Sequence, residues 1–213
     1  MRLVKSLLVC LRTEDEDVKV ALGLKAHSGW AALVVIGNSG NEFQVIDRRR
    51  LELVDKRDSR WAKQPYHAAE DLDPHDAEKL VRRGTEAAYR SAQREMLATI
   101  KSLREHEILA CAVLVPGPMP AWSVAEILAV HFRMHKAEGV LFPDALASAA
   151  DNCGLNLITI PEKLLAEHAE KALAMPFSNL MTKVITLGKS VGSPWGKDQK
   201  HAALAAMIAL QRS

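Results

Sequence analysis

Apolar positions change their spacing several times along the chain, and each change marks an element. Residues 18–36 alternate and then run apolar through Leu22-Gly23-Leu24 and Ala31-Ala32-Leu33-Val34-Val35-Ile36. Ser28-Gly29 falls between the two runs, which predicts an antiparallel hairpin. Asn38-Ser39-Gly40-Asn41 is a second turn signal, and residues 43–54 form a third strand with room for a bulge. Residues 55–75 are polar and read as a surface excursion. From Asp76 the period becomes helical: Ala77, Leu80, Val81, Gly84, Ala88, Ala92, Met96, Ile100 and Leu103 make one stripe, ending near His106.

Residues 108–115 are a continuous apolar run of strand length, as expected for a strand covered on both faces. Pro116-Gly117-Pro118-Met119-Pro120 stops it. Ser123 and Glu126 have capping-box spacing and open a helix expected to reach Glu138. Pro143 reads as the start of another helix, closed by Gly154. Residues 155–160 are a strand, Pro161 opens a helix to about Leu173, and the last helix spans roughly 198–210. Residues 174–196, with Gly188, Gly192, Pro194 and Gly196, read as irregular. The order is β-β-β-α-β-α-β-α. It predicts an α/β fold with a mixed five-stranded sheet: three antiparallel strands, then two parallel to the first, flanked by helices. One domain is expected over residues 1–213, with 1–17 and 55–75 peripheral.

Composition narrows the function classes. Hydrophobic residues make up 48% and charged residues 25%, a globular balance. Lys and Arg number 28 against 26 Asp and Glu, for a net charge of +2. That excludes nucleic-acid binding by bulk charge and leaves a local basic patch open. No apolar stretch reaches the roughly 20 residues of a membrane span, so no membrane partner is expected. Residues 1–11 resemble a signal start, but Arg12 and the acidic run 14–17 follow without a cleavage site, which predicts a cytoplasmic protein. Cys10, Cys111 and Cys153 lack metal-ligand spacing and read as reduced thiols.

The element order is that of ribonuclease H-like folds, and local motifs narrow the resemblance. Residues 22–30, Leu-Gly-Leu-Lys-Ala-His-Ser-Gly-Trp, resemble the first-strand motif of RuvC-type Holliday-junction resolvases. Residues 78–105 with 108–115, then 136–140 and 154–156, are similar to that family's following helices and strands. Residues 197–205, Lys-Asp-Gln-Lys-His-Ala-Ala-Leu-Ala, resemble its closing helix. The resemblance implies a nuclease holding two divalent ions, Mg²⁺ or Mn²⁺, on carboxylates that clamp the scissile phosphate. It puts Lys25 where the family carries its first-strand Asp, and it finds no acid in residues 110–115, where a fourth-strand Glu belongs. Asp198 and His201 stand at the closing helix's ligand positions. The expectation is therefore a catalytically degenerate relative that binds DNA or RNA, or a protein partner.

Two alternatives stay open. One is an active metal-dependent nuclease with a site rebuilt from Asp47, Asp198 and His201, the last two also serving as metal ligands. The other is an interaction protein, a homodimer for example, using an apolar helix face at Met134 and Leu141. Expected nucleic-acid contacts are Lys25, Arg48, Arg49, Arg50 and Trp61, within a basic stretch that also holds Lys56, Arg57, Arg60 and Lys63. His27 and Ser28 in the hairpin turn offer ligand contacts or simply form the turn. His131 and His135, one helical turn apart with Glu138 following, have metal-ligand spacing. His131, however, falls on the same stripe as Val124, Ile127 and Leu128 and reads as a core or boundary histidine. Tyr66, His67, Asp71, Asp73 and His75 read as a solvated loop.

Overall fold

The computed structural model describes residues 18–39, 42–58 and 61–212. Cys10, the acidic run 14–17 and Arg60 lie outside the described residues. Five strands form one sheet in the order β3-β2-β1-β4-β5. β1 (Lys19–His27), β2 (Trp30–Ser39) and β3 (Glu42–Glu52) are antiparallel, and β4 (Glu107–Val115) and β5 (Leu157–Pro161) run parallel to β1. The hairpin turns at Gly29, whose φ of 84° favours glycine. The β3 bulge falls between Asp47 and Val45, opposite Val35 and Ile36.

Helices cover both faces. On one side are α1 (Pro65–Ala68), α2 (Pro74–Ser102), α3 (Val124–Leu128) and α4 (His131–Asn152), with Leu22, Leu24, Leu33, Met96, Phe142 and Leu146 buried there. On the other are α5 (Leu165–Leu173), α6 (Phe177–Val191) and α7 (Lys197–Arg212). α7 is buried from Ala202 to Leu210 and lies directly on β1. A Cβ added at Gly23 would sit 1.9 Å from the Ala202 carbonyl oxygen and 2.7 Å from the Ala206 nitrogen. Only a residue without a side chain permits that approach, and the alanines of α7 present the matching flat face.

Several boundaries differ from expectation for physical reasons. α2 starts one turn's cap earlier, because Asp73 accepts from the His75 and Asp76 backbone N–H groups and Pro74 takes the first helical position. It ends at Ser102. The Ser123–Glu126 capping box is present, but α3 lasts five residues; Val130, in an extended conformation, separates it from α4. α4 then runs through Pro143. The missing hydrogen bond and the clash of an interior proline cost about 3 kcal/mol. Burial of Leu141, Phe142, Ala145 and Leu146 around it, at about 1.5–3 kcal/mol for each large side chain, outweighs that. Residues 177–191 are helical rather than irregular. Phe177, Leu180, Met181, Val184 and Leu187 recur at helical spacing, and Gly188 leaves the space that the Trp195 indole fills. The excursion at 61–69 is anchored: Ala62, Pro65 and Ala69 are buried, and Pro65 packs on Gly84 of α2. Met134 and Leu141 lie in the core, so the apolar face considered for a partner is already occupied. No helix among the described residues is long and apolar enough to cross a membrane.

Gly23→Val drives a side chain into backbone and should lower stability by about 3 kcal/mol or more. Gly139→Ala, on α4 with open space around the added Cβ, should be neutral or stabilising by up to about 1 kcal/mol. Urea denaturation of both variants checks the contrast.

Candidate functional site

Because β1, β4 and β5 are parallel, their carboxyl ends share one edge of the sheet, where open α/β sheets hold ligands. Lys25 and His27 close β1 at that edge. Glu162 follows Pro161, the last residue of β5, and Asp198 and His201 occupy the first turns of α7. The Gly23–Ala202 approach brings the start of α7 against the end of β1.

Lys25 is 9% exposed, and its ammonium is ion-paired with the Glu162 carboxylate. His27 Nε2 lies 2.9 Å from Asp198 Oδ1, within ion-pair distance but out of line for a hydrogen bond. The His27 ring stacks on Trp30, with centroids 4.5 Å apart and planes at 15°. The Arg50 guanidinium covers Trp30 at 3.9 Å and donates from Nε to Glu52 Oε1 at 2.6 Å. The result is a row, Arg50–Trp30–His27–Asp198, beside the Lys25–Glu162 pair. His201 stands among these groups. Burial, first, and the charges of Lys197 and Lys25 push its pKa below 6.5, against opposing contributions from Glu162 and Asp198. Its Nδ1 is buried without a hydrogen-bond partner among the described residues.

The expected site residues divide. Lys25, Asp198 and His201 meet at this edge. Asp47 does not join them: it pairs with Arg49 at 2.7 Å and lines a shallow depression with Ser102, Leu103 and His106, on the α2 side of the sheet. Strand alternation also splits the arginine run. Arg49 turns to the α2 side and donates to Ser102. Arg48 donates to the carbonyls of Gly192 and Pro194 and ties β3 to the α6–α7 connection. Arg50 alone stays with the row at Trp30. Trp61 packs into the α2 layer, with Arg83 over its ring at 4.7 Å. Glu162 and Trp30 were not expected as site residues. Their signals were a carboxylate one residue past a parallel strand and an aromatic directly across the hairpin from His27.

Among solved structures, RuvC of Thermus thermophilus is similar at a TM-score of 0.50 and 12% identity, over 89% of this chain and 92% of that one. The chain has a RuvC-like, ribonuclease H-like fold. A structure of T. thermophilus RuvC in complex with Holliday junction substrate gives a TM-score of 0.48 and 11% identity over 89% and 91%. No protein-family model and no curated protein sequence matches the chain.

Two stability predictions follow from this edge. Glu162→Gln strands a nearly buried ammonium and should cost about 1–3 kcal/mol. Lys25→Met leaves Glu162, which can hydrate, and should cost less than about 1 kcal/mol. Urea midpoints of the two variants compare them. The second concerns pH. The His201 pKa is lowered by burial in the folded chain, so the unfolded chain binds the proton more readily and stability falls as pH drops below 6.5. His201→Gln should reduce the fall in urea midpoint between pH 7.5 and 5.5.

Proposed function

We propose that this chain binds nucleic acid at the carboxyl edge of its sheet, through the Arg50–Trp30–His27 row and the cations around α7, and does not cleave it. The observation that carries the reading is the Lys25–Glu162 ion pair. Nucleases that the fold resembles gather carboxylates around two divalent ions at this edge. The donor set here does not fit such a pair. An ammonium stands at its centre and occupies Glu162, Asp198 faces His27, and residues 110–115 of β4 carry no acid. An ammonium placed there repels Mg²⁺ or Mn²⁺ and takes up the carboxylate that could have held one.

The surface beside the pair suits a polynucleotide. Trp30 has one face covered by the Arg50 guanidinium and the other by the His27 imidazole, so the ring serves to hold Arg50 at the surface, where it can meet a phosphate. Lys197 and Lys200 on the first turns of α7 add charge next to a helix amino terminus. The rebuilt nuclease site loses its support, since Asp47 faces the opposite layer.

The test is fluorescence anisotropy on labelled single-stranded, duplex and four-way-junction DNA across a salt series, without metal. Affinity should fall linearly on a log–log salt plot. Arg50→Ala, which removes a phosphate contact, should weaken it similarly on all three substrates and lower the salt slope by about 1. Incubation with Mg²⁺ or Mn²⁺ should leave every substrate intact. Absence of binding at low salt would remove the nucleic-acid reading. Metal-dependent cleavage that disappears in Asp198→Ala would overturn the non-cleaving half.

A further inference from the structure

Three histidines meet on the α1–α4 side of the sheet, in the layer opposite α7. His67 comes from α1, and His131 and His135 from the first turns of α4. One nitrogen from each lies within 4.8 Å of the other two. The rings crowd one point: centroids are 4.6 Å apart for His131–His135 and His67–His135, and 5.1 Å for His67–His131. His131 Nε2 and His135 Nε2 are 3.0 Å apart. Two imidazole nitrogens of a tetrahedral zinc site, each about 2.0–2.1 Å from the ion, sit about 3.3 Å from one another. The pair is already close to that spacing.

What surrounds the rings distinguishes this cluster from a chance gathering of surface histidines. Glu138, one turn beyond His135, is a carboxylate only 4% exposed. Its Oε2 lies 2.7 Å from His67 Nδ1, and its Oε1 accepts from the His67 backbone N–H at 3.1 Å. Gln64 Nε2 also donates to Oε2, at 3.3 Å. A buried carboxylate holding Nδ1 fixes the tautomer and turns Nε2 outward, the arrangement that commonly supports metal-bound imidazole. Glu70 Oε1 stands 3.7 Å from His131 Nδ1, an exposed ion-pair contact beyond hydrogen-bond distance.

We infer that His67, His131 and His135 form a binding site for a divalent transition ion of the zinc type, with Glu138 as the orienting carboxylate. Three neutral imidazoles suit Zn²⁺ and leave its fourth position to water. The ion ties the excursion at 61–69 to the start of α4, two segments far apart in sequence. His67 was expected in a solvated loop and His131 in the core. The break between α3 and α4 at Val130 turns His131 outward, and the Pro65–Gly84 contact brings α1 beneath it.

The experiment uses the chelator-treated full chain without an affinity tag, at pH 7.5. Zn²⁺ titration against a chromophoric competitor should give one equivalent bound at micromolar or tighter affinity. Substitution of Co²⁺ should give the intense visible bands of a four-coordinate ion. His135→Ala, whose parent side chain is exposed, should weaken Zn²⁺ at least 100-fold. Glu138→Gln should weaken it 10- to 100-fold, and His75→Ala, elsewhere on the surface, should leave it unchanged. Ligating imidazole must be neutral, so affinity should fall at least tenfold from pH 7.5 to 5.5. No saturable binding below 100 µM would overturn the site, as would affinity unchanged in His135→Ala. The wild-type Co²⁺ spectrum stands independently of the variants: pale octahedral bands would also overturn it. None of these outcomes bears on DNA binding.

Discussion

The contact between Gly23 and α7 sets the geometry of everything at the carboxyl edge. A backbone carbonyl of one element occupies the place where the other would carry a Cβ. Such an approach needs a glycine on the strand and small residues on the helix, and α7 supplies Ala202, Ala203, Ala205 and Ala206. Its consequence is positional. With Ala202 against Gly23, the preceding turn of α7 must lie over the end of β1, so Asp198 and His201 reach Lys25 and His27 without any loop to adjust. The buried helix and the site beside it are thus one constraint, and a change at Gly23 disturbs both.

Much of this was legible in the sequence because it depends on local chemistry. The hairpin at Ser28-Gly29, the bulged third strand, the long stripe of α2, the capping box at Ser123 and the closing position of Gly154 all follow from periodicity and turn residues. The misses came where tertiary packing overrode a local signal. Pro143 reads as a helix start, yet the buried residues around it carry α4 straight through. Gly188 reads as a breaker, yet it is the socket for Trp195. The arginine run reads as one patch, yet β alternation sends Arg49 to one face and leaves Arg48 and Arg50 on the other. Glu162 could have been anticipated once β5 was known to run parallel to β1. The histidine cluster could not, because α1 is seated on α2 by the Pro65–Gly84 contact and so comes to lie beside α4, which no periodicity reveals.

The two clusters illustrate opposite uses of charge on the two layers of the sheet. At the carboxyl edge a cation is built in: the nearly buried Lys25 ammonium needs Glu162 to offset its lost hydration. That pairing takes up a carboxylate which could otherwise have faced a metal. On the α4 side the relation is reversed. There the Glu138 carboxylate stands behind the His67 ring, and nitrogens of three rings converge. At the carboxyl edge, then, the carboxylates of Glu162 and Asp198 each face a nitrogen of the chain itself. On the helices of the opposite layer the convergent groups are three imidazoles drawn from α1 and α4, so the proposed ion would join segments distant in sequence without touching that edge.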